Sequence, residues 1–200
     1  MKPVTHPFET LRTWLDEAHA TEPRVAEAMQ IASVGADGRP SLRTVLLKQI
    51  TDEGLVFFTN YRSRKARELD ANGVIAALLH FKGLERQVIV EGQVSRVAAE
   101  VSDAYHASRP RGSQLGAWAS SQSAPCDGRA ELIEAFASVE SRFADGPVPR
   151  PPHWGGYTLL ADTVELWVSR HARIHDRAEW RRTVDDDGGA STWQSRRLQP

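Results

Sequence analysis

The sequence predicts a β-rich α+β chain, an antiparallel sheet or barrel with peripheral helices. Three observations predict it. Short apolar runs succeed one another across tight turns containing Gly and Asp. Helical patterns are inserted between these runs rather than alternating with them. The phosphate loops G-x-G-x-x-G and G-x-x-x-x-G-K-[ST], which accompany doubly wound sheets, are absent.

Each element carries its own signal. Phe8, Leu11, Trp14, Leu15 and Ala18 recur at helical spacing, which predicts an amphipathic helix over 7–20. Apolar runs at 29–34 and 42–47 flank Gly35-Ala36-Asp37-Gly38 and read as a hairpin. Thr51-Asp52-Glu53-Gly54 is a second turn, before a strand at 55–59. Residues 63–69 read as a short helix closed by Asn72-Gly73. Strands at 74–81 and 87–97 turn at Lys82-Gly83. A helix at 99–108 leads into a loop at 109–113, and the small residues of 116–121 around Trp118 fit neither helix nor strand. Leu132, Ile133, Phe136, Val139 and Phe143 mark another helix, and Pro147, Pro149, Pro151 and Pro152 a stiff connector. Strands follow at 157–160, at 163–168 and from 173 onward. The turn Asp185-Asp186-Asp187-Gly188-Gly189 precedes a last strand at 193–198.

Composition narrows the function. A chain of 200 residues suits one domain, 1–200, with a sizeable core. Lys and Arg number 25 against 26 Asp and Glu, a net charge of -1 that argues against a general nucleic-acid or membrane-surface protein. The single cysteine, Cys126, excludes an intrachain disulfide and a cysteine metal site. The histidines show no recurring metal-ligand spacing, so no metal is expected. No apolar run reaches membrane length and residues 1–6 have no signal-peptide core, so a reduced, cytoplasmic setting is the expectation.

The candidate chemistry is cationic. In Arg62-Ser63-Arg64-Lys65-Ala66-Arg67-Glu68-Leu69-Asp70 the cations crowd the helix N-terminus and the acids follow, against the macrodipole. An anion held there by Arg64 and Lys65, with Ser63 as cap, reverses the sign; a solvated basic turn is the plainer alternative. Arg43 and Lys48 mark the ends of one strand and, by alternation, opposite faces. Tyr105 and Arg109 are i, i+4 neighbours, and with Ser113 they can converge on a phosphate or simply close a helix. Arg173, His175 and Arg177 share one face of an extended strand, with Trp167 as a stacking wall. H-E-x-x-H and G-x-S-x-G are absent, which leaves zinc enzymes and nucleophilic hydrolases no foothold. Several separate phosphate-compatible cations on a small β-rich chain point to phosphorylated small molecules.

Taken in order, several segments have a family likeness. They are Arg43-Thr44-Val45-Leu46-Leu47-Lys48, Phe58-Thr59-Asn60-Tyr61-Arg62-Ser63-Arg64-Lys65, Leu84-Glu85-Arg86-Gln87-Val88 and Ser108-Arg109-Pro110-Arg111-Gly112-Ser113-Gln114-Leu115-Gly116-Ala117-Trp118. Gln122-Ser123, Pro151-Pro152-His153-Trp154-Gly155-Gly156-Tyr157, Glu165-Leu166-Trp167 and Arg173-Ile174-His175-Asp176-Arg177 complete the set. The chain strongly resembles pyridoxamine 5'-phosphate oxidases, from about residue 8 to the C-terminus.

The resemblance implies an antiparallel FMN-binding split β-barrel, and a homodimer with FMN at the interface. It implies FMN contacts at Arg43, Thr44, Val45, Leu46, Leu47, Lys48, Phe58, Thr59, Arg64, Lys65 and Gln87 of one subunit. Gln122, Ser123, Trp167 and Arg177 would come from the other. Lys48, Tyr105, Arg109 and Ser113 would hold the substrate phosphate, with Arg173, Ile174 and His175 over the substrate ring, Arg173 and His175 catalytic. The implied reaction converts pyridoxamine or pyridoxine 5'-phosphate to pyridoxal 5'-phosphate, with molecular oxygen as acceptor and hydrogen peroxide as product. Two alternatives remain at this point: oxidation of another ring, such as a phenazine precursor, and non-catalytic binding of FMN or pyridoxal phosphate.

Overall fold

One helix stripe and the alternate positions of a curled sheet form the core. The computed structural model describes residues 6–144, 146–183 and 192–200. The predicted turn at 185–189 and the N-terminal residues 1–5 lie outside the described residues. The elements run α1 (Pro7–Thr21), β1 (Ala28–Val34), β2 (Pro40–Leu46), β3 (Gln49–Ile50), β4 (Gly54–Asn60), α2 (Arg64–Asn72), β5 (Val74–Phe81) and β6 (Arg86–Arg96). They continue with α3 (Ala99–Ser108), α4 (Arg111–Ala119), α5 (Arg129–Arg142), β7 (Trp154–Val168), β8 (Asp176–Thr183) and β9 (Thr192–Leu198).

Among the described residues nine strands form one antiparallel sheet: seven run in the order β2-β1-β5-β6-β7-β4-β3, and β8 branches off β7 with β9 beside it. Its two ends are consecutive in the chain. The Leu47 N–H donates to the Glu27 carbonyl beside β1, whereas the next N–H, of Lys48, donates to Val56 of β4. This switch of partners between neighbouring residues curls the sheet into a split barrel. Phe8, Leu11, Trp14 and Ala18 of α1 pack into it against Met29, Ile31, Leu79 and Val88. The helical stripe is the predicted one, and its burial rather than helix propensity holds α1.

Two predicted strands, 157–160 and 163–168, are one strand, β7. Its first half pairs with β4, from Gly54↔Leu160 to Asn60↔Trp154; its second half pairs with β8, from Thr163↔Arg181 to Val168↔Asp176. At the changeover Ala161 faces Gly92 and Thr163 faces Glu91, so Asp162 is an extra residue in the ladder with β6. The bulge lets one strand leave the barrel without ending. It also crowds Gly92, where an added Cβ would lie 1.9 Å from the Leu160 carbonyl oxygen.

Helix α4 corrects the prediction of a loop. Gly112 and Gly116 each cost it about 1 kcal/mol relative to Ala, which hides it from a sequence pattern. Burial of Leu115 and Ala117 and docking on α5 override that cost. The predicted strand from residue 173 starts instead at Asp176. Ala172 and Arg173 have φ of 57° and 63°, a left-handed turn that no strand accommodates.

The Gly92→Ala substitution is expected to destabilise the protein by about 3 kcal/mol or more, because backbone rather than a side-chain tip is in the way. Thermal melting checks this, with Gly116→Ala as a comparison, since a Cβ there meets nothing within 4 Å.

Candidate functional site

Strand β4 delivers the site. It ends in Phe58-Thr59-Asn60 and passes within three residues into α2, whose N-cap Ser63 accepts a hydrogen bond from Ala66 N–H. Gly73, at φ 69°, closes α2 as the sequence predicts. Helices α3 and α4 cover the opening. The cavity, of about 380 Å³ and open to solvent on one side, is lined by Thr44, Val45, Leu46 and Lys48 from β2 and the segment that follows it. Phe58, Thr59 and Lys65 join from β4 and α2, and Tyr105, Arg109, Ser113 and Gln122 from the cover.

Lys65 lines the cavity and is only 8% exposed. Its Nζ donates to Thr59 Oγ1 at 3.1 Å and to Gln122 Oε1 at 3.3 Å, both neutral. Burial, then the neighbouring charge of Arg43, lowers its pKa from the ordinary 10.5 to about 8, against the opposing pull of Glu68. Ser123, held at φ 73°, accepts the Arg64 N–H at 3.1 Å and so sets a hydroxyl at the α2 N-terminus.

Arg109, also in the lining, lies over the Trp154 ring, 4.6 Å from its centroid. Its Nη1 is buried without a hydrogen-bond partner. Desolvation lowers its pKa. Among the described residues no carboxylate pairs with Lys65 or Arg109. The other cations are compensated: Lys48 pairs with Glu27, while Arg43 and Arg64 pair with Glu68. Two cations without a carboxylate partner against one cavity make it receptive to anionic groups.

The wall beside them is aromatic. Phe58 stacks on Tyr105 at 4.0 Å and on Trp154 at 5.6 Å between ring centroids. Gly156 leaves room for Phe58, since a Cβ there would lie 2.8 Å from its ring. His106, 1% exposed, meets Trp154 edge-on from behind. Burial, then the charges of Arg109 and Arg150, lower its pKa and favour the neutral ring.

The remaining predicted residues form a second group on the outer half of the sheet. Gln87, Trp167 and Arg177 are cross-strand neighbours in β6, β7 and β8. His175 packs on Trp167 at 4.6 Å and accepts the Arg170 N–H on Nδ1. Arg177 is held bidentate by Glu165, at 2.7 and 3.0 Å. Arg173 and exposed Ile174 sit on the turn before β8, so the expected single face of Arg173, His175 and Arg177 does not form. Within one chain Gln122 and Ser123 sit with Lys65 and Arg64, whereas Gln87 sits with Trp167 and Arg177. Arg43 and Leu47 do not line the cavity. Arg43 faces Ser33, Ser41 and Glu68, and Leu47 is core.

Sequence reasoning missed Asn60, Trp154 and Glu68. Asn60 donates to the Ser120 carbonyl at 3.1 Å and fastens the cover. Trp154 was legible only as an aromatic before two glycines, a pattern that permits close backbone approach. Glu68 carried a signal too, as the one acid an i+4 step from Arg64.

The split barrel and its cavity, with two cations that lack a carboxylate partner, define a class of protein that binds anionic, ring-bearing small molecules. Residues 15–167 match the family pyridoxamine 5'-phosphate oxidase, and residues 154–200 match the pyridoxine 5'-phosphate oxidase C-terminal dimerisation region. The chain belongs to the pyridoxamine 5'-phosphate oxidase family. It is 48% identical over 198 residues to the pyridoxine/pyridoxamine 5'-phosphate oxidase of Burkholderia lata, covering 98% of this chain and 91% of that one. It is 50% identical over 195 residues to pyridoxine/pyridoxamine 5'-phosphate oxidase 1 of Ralstonia nicotianae, covering 98% and 89%. A crystal structure of PhzG from Burkholderia lata, in complex with tetrahydrophenazine-1-carboxylic acid, superposes with a TM-score of 0.90 at 29% identity, covering 100% and 95%. A pyridoxamine 5'-phosphate oxidase-related, FMN-binding protein from Nostoc punctiforme shares the fold, with a TM-score of 0.74 at 18% identity over 96% of each chain.

FMN is the cofactor of this family, and the donor set fits its phosphate: a buried ammonium lacking a carboxylate, the Thr59 and Ser123 hydroxyls, and a helix start with no acid in its first turn. The charge on Lys65 has a consequence for pH. Its folded pKa is depressed, so the buried ammonium costs stability fully below about pH 8, and that cost vanishes toward 10.5. A bound phosphate raises the pKa again. FMN affinity is therefore expected to fall as pH rises above 8, by up to about tenfold per unit. Lys65→Met is expected to abolish this dependence, to weaken FMN binding about 100-fold and to raise the melting temperature of the flavin-free protein. Flavin fluorescence titrations between pH 7 and 9.5, with thermal melts, check all three.

Proposed function

We propose that the chain is an FMN-dependent oxidase of the 4' carbon of phosphorylated B6 vitamers. Pyridoxine 5'-phosphate and molecular oxygen give pyridoxal 5'-phosphate and hydrogen peroxide. Pyridoxamine 5'-phosphate also consumes water and releases ammonia. The observation that carries the reading is Arg109: a guanidinium aimed into the cavity, with a buried Nη1 that no protein atom satisfies. Tyr105, Ser113 and Lys48 line the same cavity, so a phosphate meets three kinds of donor at once. The phenyl and indole faces of Phe58 and Trp154 suit a pyridine ring. The names of the relatives near 48% identity support the same substrates.

FMN supplies the two-electron acceptor and its reoxidation by oxygen. The protein's own residues position the 4' carbon and exclude water. The match of 154–200 to a dimerisation region supports a homodimer. In that dimer the outer group of one copy, Gln87, Trp167, Arg173, His175 and Arg177, completes the cavity of the other. Arg173 and His175 then lie over the substrate ring, where His175 can take or return a proton. A second reading has support from the PhzG likeness: a reduced phenazine carboxylate also offers an anion and a flat ring.

Visible spectra of FMN-loaded protein without oxygen separate the readings. Bleaching by pyridoxamine or pyridoxine phosphate, recovery in air and formation of pyridoxal phosphate are expected. Bleaching only by a tetrahydrophenazine carboxylate overturns the B6 reading in favour of the second; no bleaching by either overturns both. Arg109→Ala is expected to retain FMN and to raise KM for the phosphorylated substrate about 100-fold.

A further inference from the structure

Glu68 stands one turn beyond Arg64 and is 7% exposed. Its Oε1 accepts from Arg64 Nε at 2.7 Å. Its Oε2 accepts from Arg43 Nη2 at 3.0 Å and from the Ser33 and Ser41 hydroxyls at 2.5 Å. One carboxylate thereby fastens the first turn of α2 to β1 through Ser33 and to β2 through Ser41 and Arg43. Burial opposes its charge, but the hydrogen bonds from Ser33, Ser41, Arg64 and Arg43 outweigh burial and hold the carboxyl far below its ordinary range.

By charge alone this residue is misplaced. A carboxylate beside the end of a helix that receives a phosphate repels that phosphate. Its contribution must then be geometric. Arg64 is otherwise exposed, at 60% of its side chain, and carries the rotamer entropy of a free arginine. Arg43 does not line the cavity, but its guanidinium is closed off by Ser33, Ser41 and Glu68 behind the same helix end.

We propose that Glu68 is a positioning residue for the FMN phosphate: it anchors the guanidiniums of Arg64 and Arg43 to one buried point, and so holds the α2 N-terminus and Arg64 in place for the phosphate. The residue acts through its partners and touches neither flavin nor substrate. The inference rests on the phosphate lying at the α2 N-terminus, and the test separates the two claims.

Flavin-free protein is titrated with FMN and with riboflavin, which lacks the phosphate. The wild type is expected to prefer FMN by at least about tenfold; equal affinities overturn the phosphate placement itself. Glu68→Gln is expected to weaken FMN about tenfold with riboflavin unchanged. The alkaline fall in FMN affinity should also move to lower pH, because Lys65 loses a charge that favours its protonated form. Tighter FMN binding would mean that Glu68 only repels, and equal losses for both flavins that it is only scaffold; either overturns the proposal. Glu68→Asp keeps the charge but is shorter by one methylene, and is expected to weaken FMN selectively, about threefold. Unchanged FMN affinity in Glu68→Asp overturns the proposal, and this variant decides the matter if Glu68→Gln does not fold.

Discussion

Positive charge left without a counter-charge is the constraint around which this structure is arranged. Among the described residues most of the cations at the site are matched: Lys48 by Glu27, Arg43 and Arg64 by Glu68, Arg177 by Glu165. Lys65 and Arg109 are not, and both lie against one cavity. Burying an ammonium among neutral oxygens costs stability, and so does a buried guanidinium N–H with no acceptor. A fold carries such costs where a ligand removes them. Their place against one aromatic-walled cavity fits a flavin phosphate and a substrate anion as its two occupants.

The barrel exists to hold those two charges in register. The β4–β7 ladder sets Phe58 opposite Gly156 and Asn60 opposite Trp154, which fixes the stacked wall and the ring beneath Arg109. The same β4 runs into α2 and so fixes Lys65. Asp162 then lets β7 change partner from β4 to β8, and the second half of β7 carries Trp167 away from the cavity. A long strand with one bulge thus serves two places at once, which two separate strands joined by a turn would not do.

Much of this was legible in the chain. The helical stripe Phe8-Leu11-Trp14-Ala18, the hairpin of β1 and β2, and the Ser63 cap with its Gly73 stop are local patterns, and local physics forms them. The reversed charges at the start of α2 pointed to an anion, and that is where Lys65 is buried. What could not be read depends on long-range packing. Helix α4 carries two glycines and forms because Leu115 and Ala117 find a core. The turn at Ala172-Arg173 takes left-handed backbone that neither residue type announces. It breaks the strand alternation that would align Arg173, His175 and Arg177. That Gln87 lies beside Trp167 and Gln122 beside Lys65 depends on strand and loop neighbours that sequence order does not reveal. Glu68 stands out in the sequence only as an acid an i+4 step from Arg64; only the fold brings Ser33 and Ser41 onto its other oxygen.

The central claim is that a working site takes its cavity from one copy of the chain and its Trp167–His175 group from another. Co-expression of two variants under different affinity tags, assayed at FMN too dilute to load Lys65→Met, tests it directly: Lys65→Met, whose own cavity is then empty of flavin, and Arg173→Ala, whose own turn before β8 is deficient. In a heterodimer purified through both tags, the cavity of the Arg173→Ala copy meets the intact loop of the other, so one of two sites is whole. The account predicts about half the wild-type activity per dimer. Activity no greater than that of the two parent variants would contradict it, and would assign the whole site to a single chain.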